Sequence, residues 1–233
     1  MSLLVFVDLE CVPRESSYEK LDERAKALWD KFQERFVKEA WYESKEQSYD
    51  RQAALFAEWG MIVCICAGYF VAGSDELSIK TYTNEDEAWL LSEFVEDFKK
   101  IKRGVRWCGH NIKKFDIPYI AQRMVANGMQ ITQYPFINRM GVKPWENKDI
   151  DTSELWTQGI YGKYISLDRL CMALGVESPK GGGVDGARVG DCYWGRGEYS
   201  EMEFDERMGL IAEYCPKDIQ CLPKILERFG VLV

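Results

Sequence analysis

A single histidine is present among 233 residues, and none of the eight cysteines forms a Cys-x-x-Cys pair. With one histidine and no cysteine knuckle, a zinc site is therefore not expected. Positive charge is also scarce: 30 lysines and arginines face 38 aspartates and glutamates, a net charge of −8. That balance weighs against a protein that coats duplex nucleic acid through a broadly basic surface. It leaves room for one that grips a few phosphates through bound cations. Long apolar runs are missing too. Met61 to Val71 is about half the length a spanning helix needs, and Asp8 interrupts the opening Leu3–Val7 run, which no positive charge precedes. Neither a membrane span nor a secretion signal is expected, and the thiols are expected to be free in a reducing cytoplasm. Gly181-Gly182-Gly183 lacks the Gly-Lys-Ser/Thr ending of a phosphate-binding loop.

What is there suits one buried α/β domain. The composition is 46% apolar and 29% charged, and the length is too short for two large domains. Residues 3–8 read as a buried strand. Residues 18–58 read as helical, with an apolar stripe of Leu21, Ala25, Leu28, Phe32 and Phe36. A second helical piece runs from Tyr49 to Trp59, with Gly60 as its C-terminal glycine. Strands are expected at 61–71, 77–82 and 105–108. Asn84 is the expected N-cap of a helix reaching Lys100, with Trp89, Leu90, Phe94, Val95 and Phe98 inward. Further helices are expected at 117–127, 153–157, 166–174 and 204–229, the last bent near Pro216 and Pro223. This order implies a mixed central sheet flanked by helices.

Four carboxylates stand out against this background. Asp8 and Glu10 are two apart, so on a strand they share a face. A buried pair of like charges is costly unless a cation binds it; equally, the strand can end there and leave both solvated. Asp116 follows a short strand and opens a helix, where the helix dipole alone favours a carboxylate. Tyr214 and Asp218 are four apart and share a helix face, as incidental surface pairs also do. Each signal is ordinary alone. Together, in this order, clustered carboxylates are what metal-dependent phosphodiester hydrolysis requires, two cations roughly 3.5–4 Å apart clamping the attacking and leaving oxygens.

Asp8-x-Glu10, then Asn111-x-x-x-Phe115-Asp116, then Tyr214-x-x-x-Asp218 resembles the signature of DEDD-type 3′–5′ exonucleases of the tyrosine variant, which have a ribonuclease-H-like fold. Ser178-Pro179-Lys180 and Val184 to Val189 look like stand-alone exonucleases related to the proofreading domain of family-B DNA polymerases. The histidine variant carries its histidine five residues before the last aspartate, and that position here is Glu213. The resemblance spans nearly the whole of residues 1–233 as a single exonuclease domain, and leaves out residues 14–58 as a helical insertion after the first strand.

The resemblance implies that Asp8 bridges two Mg²⁺ or Mn²⁺ ions, that Glu10 and Asp218 complete one site, and that Asp116 holds the second ion. Tyr214 orients the attacking water, since a tyrosine with a pKa near 10 is a poor base at neutral pH. Leu9, Asn111, Phe115, Lys113, Lys114 and Lys180 are the candidate substrate contacts, with Arg188 a further phosphate contact. Phe115 either stacks on the terminal base or packs in the core. The basic run Lys99, Lys100, Lys102, Arg103, Arg106, Lys113, Lys114 is expected to steer phosphates toward Asp116; for Lys99 to Arg103 a solvated helix end is the alternative, and Lys113 and Lys114, which adjoin the motif, are the better candidates. Asp151 reads as a helix cap, with the lesser alternative that it lies near the site. The expected substrate is single-stranded nucleic acid, DNA favoured over RNA; the alternatives are an exoribonuclease with the same site and a catalytically silent binding module. The insertion suits either a protein partner or a clamp over the substrate.

Overall fold

The computed structural model describes residues 2–37, 44–102, 104–160, 162–178 and 186–231. Lys180, the triple glycine, Pro179, Val184, Asp185, Arg103 and the side chain of Phe36 lie outside the described residues. A five-stranded sheet forms the centre, in the order β3-β2-β1-β4-β5. β1 (Leu3–Pro13) is antiparallel to β2 (Gly60–Phe70), which is antiparallel to β3 (Leu77–Thr83); β4 (Val105–Gly109) and β5 (Ile150–Asp151) continue from β1 in parallel.

Alternation along β1 divides two cores. Val5, Val7 and Leu9 face one side, against α3 (Glu87–Lys99) and α4 (Asp116–Ala126). α3 buries Leu90, Leu91, Phe94, Val95 and Phe98 there, each worth about 1.5–3 kcal/mol relative to exposure. Phe6 and Val12 face the other side, against α6 (Leu167–Leu174), α7 (Val189–Tyr193), α8 (Phe204–Gln220) and α9 (Leu222–Arg228). A short α5 (Thr152–Thr157) follows β5 directly. Among the described residues, no helix is long and apolar enough to cross a membrane. All eight cysteines are free, seven of them buried.

The insertion between β1 and β2 contains α1 (Glu23–Val37), α2 (Lys45–Gln52) and two 3₁₀ turns, Tyr18–Lys20 and Ala53–Leu55. It has a small core of its own: Tyr18, Leu21, Trp29, Tyr49 and Ala53. Trp29 meets Tyr49 and Trp59 edge-on, with ring centroids 5.2 and 5.1 Å apart, a favoured aromatic geometry.

Several sequence expectations need correction. The first strand runs on to Pro13, because β2 continues to pair with it through a bulge between Glu10 and Cys11. The α3 cap is Asp86, whose carboxylate accepts from the Ala88 and Trp89 amides, while Asn84 accepts from the Asp86 amide. Trp89 is 63% exposed and Leu28 of α1 52% exposed, so neither points inward. Gly60 opens β2 instead of closing a helix; a Cβ there would run into the Tyr119 hydroxyl and the Ala54 carbonyl. The C-terminal helix continues through Pro216 and breaks at Cys221, with Pro223 in the first turn of α9, where its missing N–H costs nothing.

Candidate active site

Pleating puts Asp8 and Glu10 on the Phe6 face, toward α8. Glu10 is buried and Asp8 half-buried, and both remain within the ladder, opposite Cys64 and Cys66 of β2. The solvated-loop alternative for this pair therefore fails. β4 last pairs with β1 at Phe6 and Cys108. Beyond that point the Leu9 N–H is available to the carboxylate of Asp116, which is 3% exposed at the start of α4. α8 brings Tyr214 and Asp218 onto the same point from the opposite face, one turn apart across Pro216. Asp8, Leu9, Phe115, Tyr214 and Asp218 line both of two adjoining cavities of about 470 and 440 Å³; Glu10 lines the first, Asn111 and Asp116 the second.

The electrostatics follow from crowding. Burial, then Asp116, Glu10 and Asp218, raise the Asp8 carboxyl well above the usual range. Burial, then Asp218, do the same to Glu10. Asp116 is pushed up to about 7, chiefly by burial and by Asp151, against the opposing pull of its own and the Leu9 amides. Carboxyls raised by one another in this way want positive charge between them. All are hard oxygen donors, the set that suits Mg²⁺ or Mn²⁺. The Tyr214 hydroxyl accepts from the Gly186 N–H at 3.1 Å, and burial followed by Asp218 raises its pKa. It stays protonated at neutral pH, with its own proton free to donate.

The second motif is held by Asp151, the expected helix cap and the lesser candidate for a place near the site. Asp151 Oδ1 accepts from the Asn111, Ser153 and Glu154 amides, at 2.9, 3.0 and 3.3 Å, and Oδ2 from the Lys113 amide at 3.2 Å. Asn111 is left-handed at φ 65°, a conformation asparagine tolerates better than most residues. Asp151→Ala would leave buried amides unpaired and release this turn. It should cost about 2–3 kcal/mol of stability and lower any hydrolytic rate by about tenfold or more. Chemical denaturation and a rate measured on the same preparation would check both, and an unchanged rate would mean that the turn does not position Asp116.

Most of the described cationic candidates are paired with acids. Lys113 is committed to Glu154 at 2.5 Å, Arg188 to Glu198 at 2.9 Å. Lys114 is exposed but lines neither cavity. Lys99 and Lys100 pair with Glu96 and Asp97 at the end of α3. Val105 pairs with Leu3, so this cluster lies at the far end of β1 from Asp8, roughly 16 Å away at about 3.3 Å per residue. For Lys99 and Lys100 the helix-end reading is the one the fold supports, while Arg106 lies on β4.

Other groups reach the groove unannounced. Leu55 of the insertion lines both cavities, while Arg51 and Arg196 line the first. Arg196 ties the insertion to the domain through Asp50 and Asp191, at 3.1 and 3.0 Å. Tyr164, 61% exposed, lines both cavities and stands edge-on to His110. His110 pins the Tyr164 loop: its Nε2 donates to the Ile165 carbonyl at 2.7 Å, which leaves Nδ1 to accept from the Thr152 hydroxyl at 2.8 Å. Burial lowers its pKa. Spacing could not have found Leu55, Arg51, Arg196 or Tyr164, because none belongs to a local motif.

The sequence profile of the RNase_H_2 family, of the RNase H superfamily, matches residues 56–229. The chain belongs to the RNase H superfamily. The matched span starts after β1, so it includes Asp116, Tyr214 and Asp218 but not Asp8 or Glu10. Among solved structures, the family B DNA polymerase from the hyperthermophilic archaeon Pyrobaculum calidifontis is similar in fold, with a TM-score of 0.55 and 12% identity. The similarity covers 97% of this chain and 25% of that polymerase, so this chain spans about a quarter of its length. No curated protein matches the sequence.

Proposed function

We propose that this protein is a metal-dependent 3′–5′ exonuclease that removes nucleoside 5′-monophosphates from single-stranded DNA. The observation that carries the reading is the convergence of Asp8, Glu10, Asp116, Asp218 and Tyr214 on one groove of an RNase H superfamily chain. Asp8, Glu10, Asp116 and Asp218 would hold two Mg²⁺ or Mn²⁺ ions. Bound there, such cations lower the pKa of an attacking water and stabilise the leaving oxygen.

The chain's own residues do the rest. Tyr214, fixed by the Gly186 amide, donates a hydrogen bond to the incoming water and aligns it; it keeps its proton and does not serve as the base. Leu9, Phe115, Leu55 and Tyr164 give the groove apolar and aromatic walls, which suit the faces of unpaired bases independently of sequence. Arg51 and Arg196, on the insertion side, are paired with Asp191 and Asp50 and offer positive charge for the backbone by exchanging those partners. The insertion thus serves as a wall over the substrate, the clamp alternative for residues 14–58.

The test is incubation of the full chain with 5′-labelled single-stranded DNA, and separately RNA of the same sequence, in Mg²⁺, Mn²⁺ or EDTA. A metal-dependent ladder shortening from the 3′ end is expected, faster on DNA. A faster RNA ladder would reassign the substrate. No ladder with any metal would overturn the reading in favour of a binding module.

A further inference from the structure

Beneath the carboxylates lies a second cluster that the hydrolytic reading does not use. Cys64 and Cys66 are two apart on β2, so their side chains share the face that carries Asp8 and Glu10. α8 lays Cys215, the neighbour of Tyr214, onto the same spot. The three sulfurs lie within 4.8 Å of one another, and all three residues are fully buried. Cys215 also belongs to a second set: its Sγ and one oxygen each of Asp8 and Glu10 are likewise within 4.8 Å. The Cys215 Sγ is 3.9 Å from Asp8 Oδ2.

Small apolar packing explains a cysteine at any one of these positions. It does not explain why three sulfurs from two elements meet at one point against a carboxylate. Thiolates prefer soft cations to Mg²⁺ or Mn²⁺. Zinc–sulfur bonds of about 2.3 Å put tetrahedral ligand sulfurs roughly 3.8 Å apart, so the thiols need close in by only about 1 Å.

We propose that Cys64, Cys66 and Cys215, with Asp8 as fourth ligand, form a site for a soft divalent cation such as zinc or cadmium, and that filling it shuts down the carboxylate cluster above. Binding forms three metal–sulfur bonds and one metal–oxygen bond, and releases to solvent the three thiol protons and any proton held by Asp8. Entry is from the groove. Asp8 is partly exposed there, and an ion first held by Asp8, Glu10 and Cys215 moves inward by exchanging Glu10 for the two deeper sulfurs. Asp8 then leaves the cluster it shares with Glu10, Asp116 and Asp218. The binding stands independently of the proposed activity; only the loss of activity rests on that reading.

Titration of the full chain with Cd²⁺ tests it. One equivalent should produce the ultraviolet thiolate-to-cadmium charge-transfer band and a ¹¹³Cd resonance in the thiolate-rich region. Cys215→Ala, and the double change Cys64→Ala with Cys66→Ala, should abolish the band; Cys11→Ala and Cys171→Ala should keep it. In an assay with excess Mg²⁺, one equivalent of Cd²⁺ should slow the wild type by about tenfold or more and leave the double variant at its own rate. A band that survives in folded Cys215→Ala, depends on Cys11 or Cys171, or never forms overturns the proposal. Where a variant does not fold, the wild-type ¹¹³Cd shift decides, and an oxygen-only position overturns it. A chain inactive with Mg²⁺ and Mn²⁺ would remove the exonuclease reading and leave the titration as decisive as before.

Discussion

Asp8→Asn should lower 3′-end hydrolysis by about 10³-fold or more, and at the same time raise the melting temperature of the metal-free protein at neutral to alkaline pH. The two effects share one cause. Asp8 sits among Glu10, Asp116 and Asp218, and burial together with those neighbours raises its carboxyl well above the usual range. In the unfolded chain an aspartate titrates near 3.9. A folded-state value above that makes the folded form hold a proton that the unfolded form has released. The stabilising effect is complete below about pH 4 and is lost as pH rises through the folded values, of which Asp116's is about 7. In EDTA the wild type should therefore lose stability between roughly pH 4 and 7. Asparagine keeps the shape and removes one charge, so the loss should be shallower. Mg²⁺ or Mn²⁺ should stabilise the wild type more than the variant. Thermal melts across this pH range, with and without metal, give both readouts. A variant that keeps its rate, or melts below the wild type at pH 8 in EDTA, would contradict the assignment of Asp8 to a cation-holding cluster.

Glu87→Ala should be the most destabilising single change outside the groove. Glu87 and Arg123 are both 8% exposed and make a forked pair, with Nε–Oε1 at 2.9 Å and Nη2–Oε2 at 2.5 Å. Glu87 also accepts from the Ile62 amide at 2.6 Å and from Asn127 at 2.8 Å, and Arg123 donates to the Ala57 carbonyl at 2.7 Å. Truncating Glu87 strands a buried guanidinium and a strand amide together. Breaking such a pair from one side costs about 3–5 kcal/mol, or roughly 6–20 °C in a domain of this size. The network joins α3, α4, β2 and the end of the insertion, so the loss should be global. A calorimetric melt checks it; a shift of only a degree or two would mean that water replaces the lost partner.

The layered plan was legible because period and length agreed: apolar runs at 3–8 and 61–71 had to be central strands, and the Leu90–Phe98 stripe had to cover them. Where two readings competed, a distant partner decided. Glu10 stays on β1 because Cys64 pairs opposite it. The two residues of β5 carry no periodicity, and only β4 makes them a strand. The α3 cap slipped from Asn84 to Asp86 since both are good caps and Asn84 instead supports the turn before it. The site was legible as five residue types in order. Its walls were not: Leu55, Arg51, Arg196 and Tyr164 reach it through tertiary packing alone. For Lys99 and Lys100, linear closeness to Asp116 did not survive the length of β4.

Asp8 is made long before Asp218, and α8 is the element that brings them together. During synthesis, the first strands leave the ribosome long before that helix does. Until α8 docks on the β1–β2 face, Asp8 and Glu10 have no Tyr214 or Asp218 beside them. Until then the nascent chain, amid single-stranded RNA, carries its candidate carboxylate set incomplete. Synthesis of α8, and not of β1, completes that set.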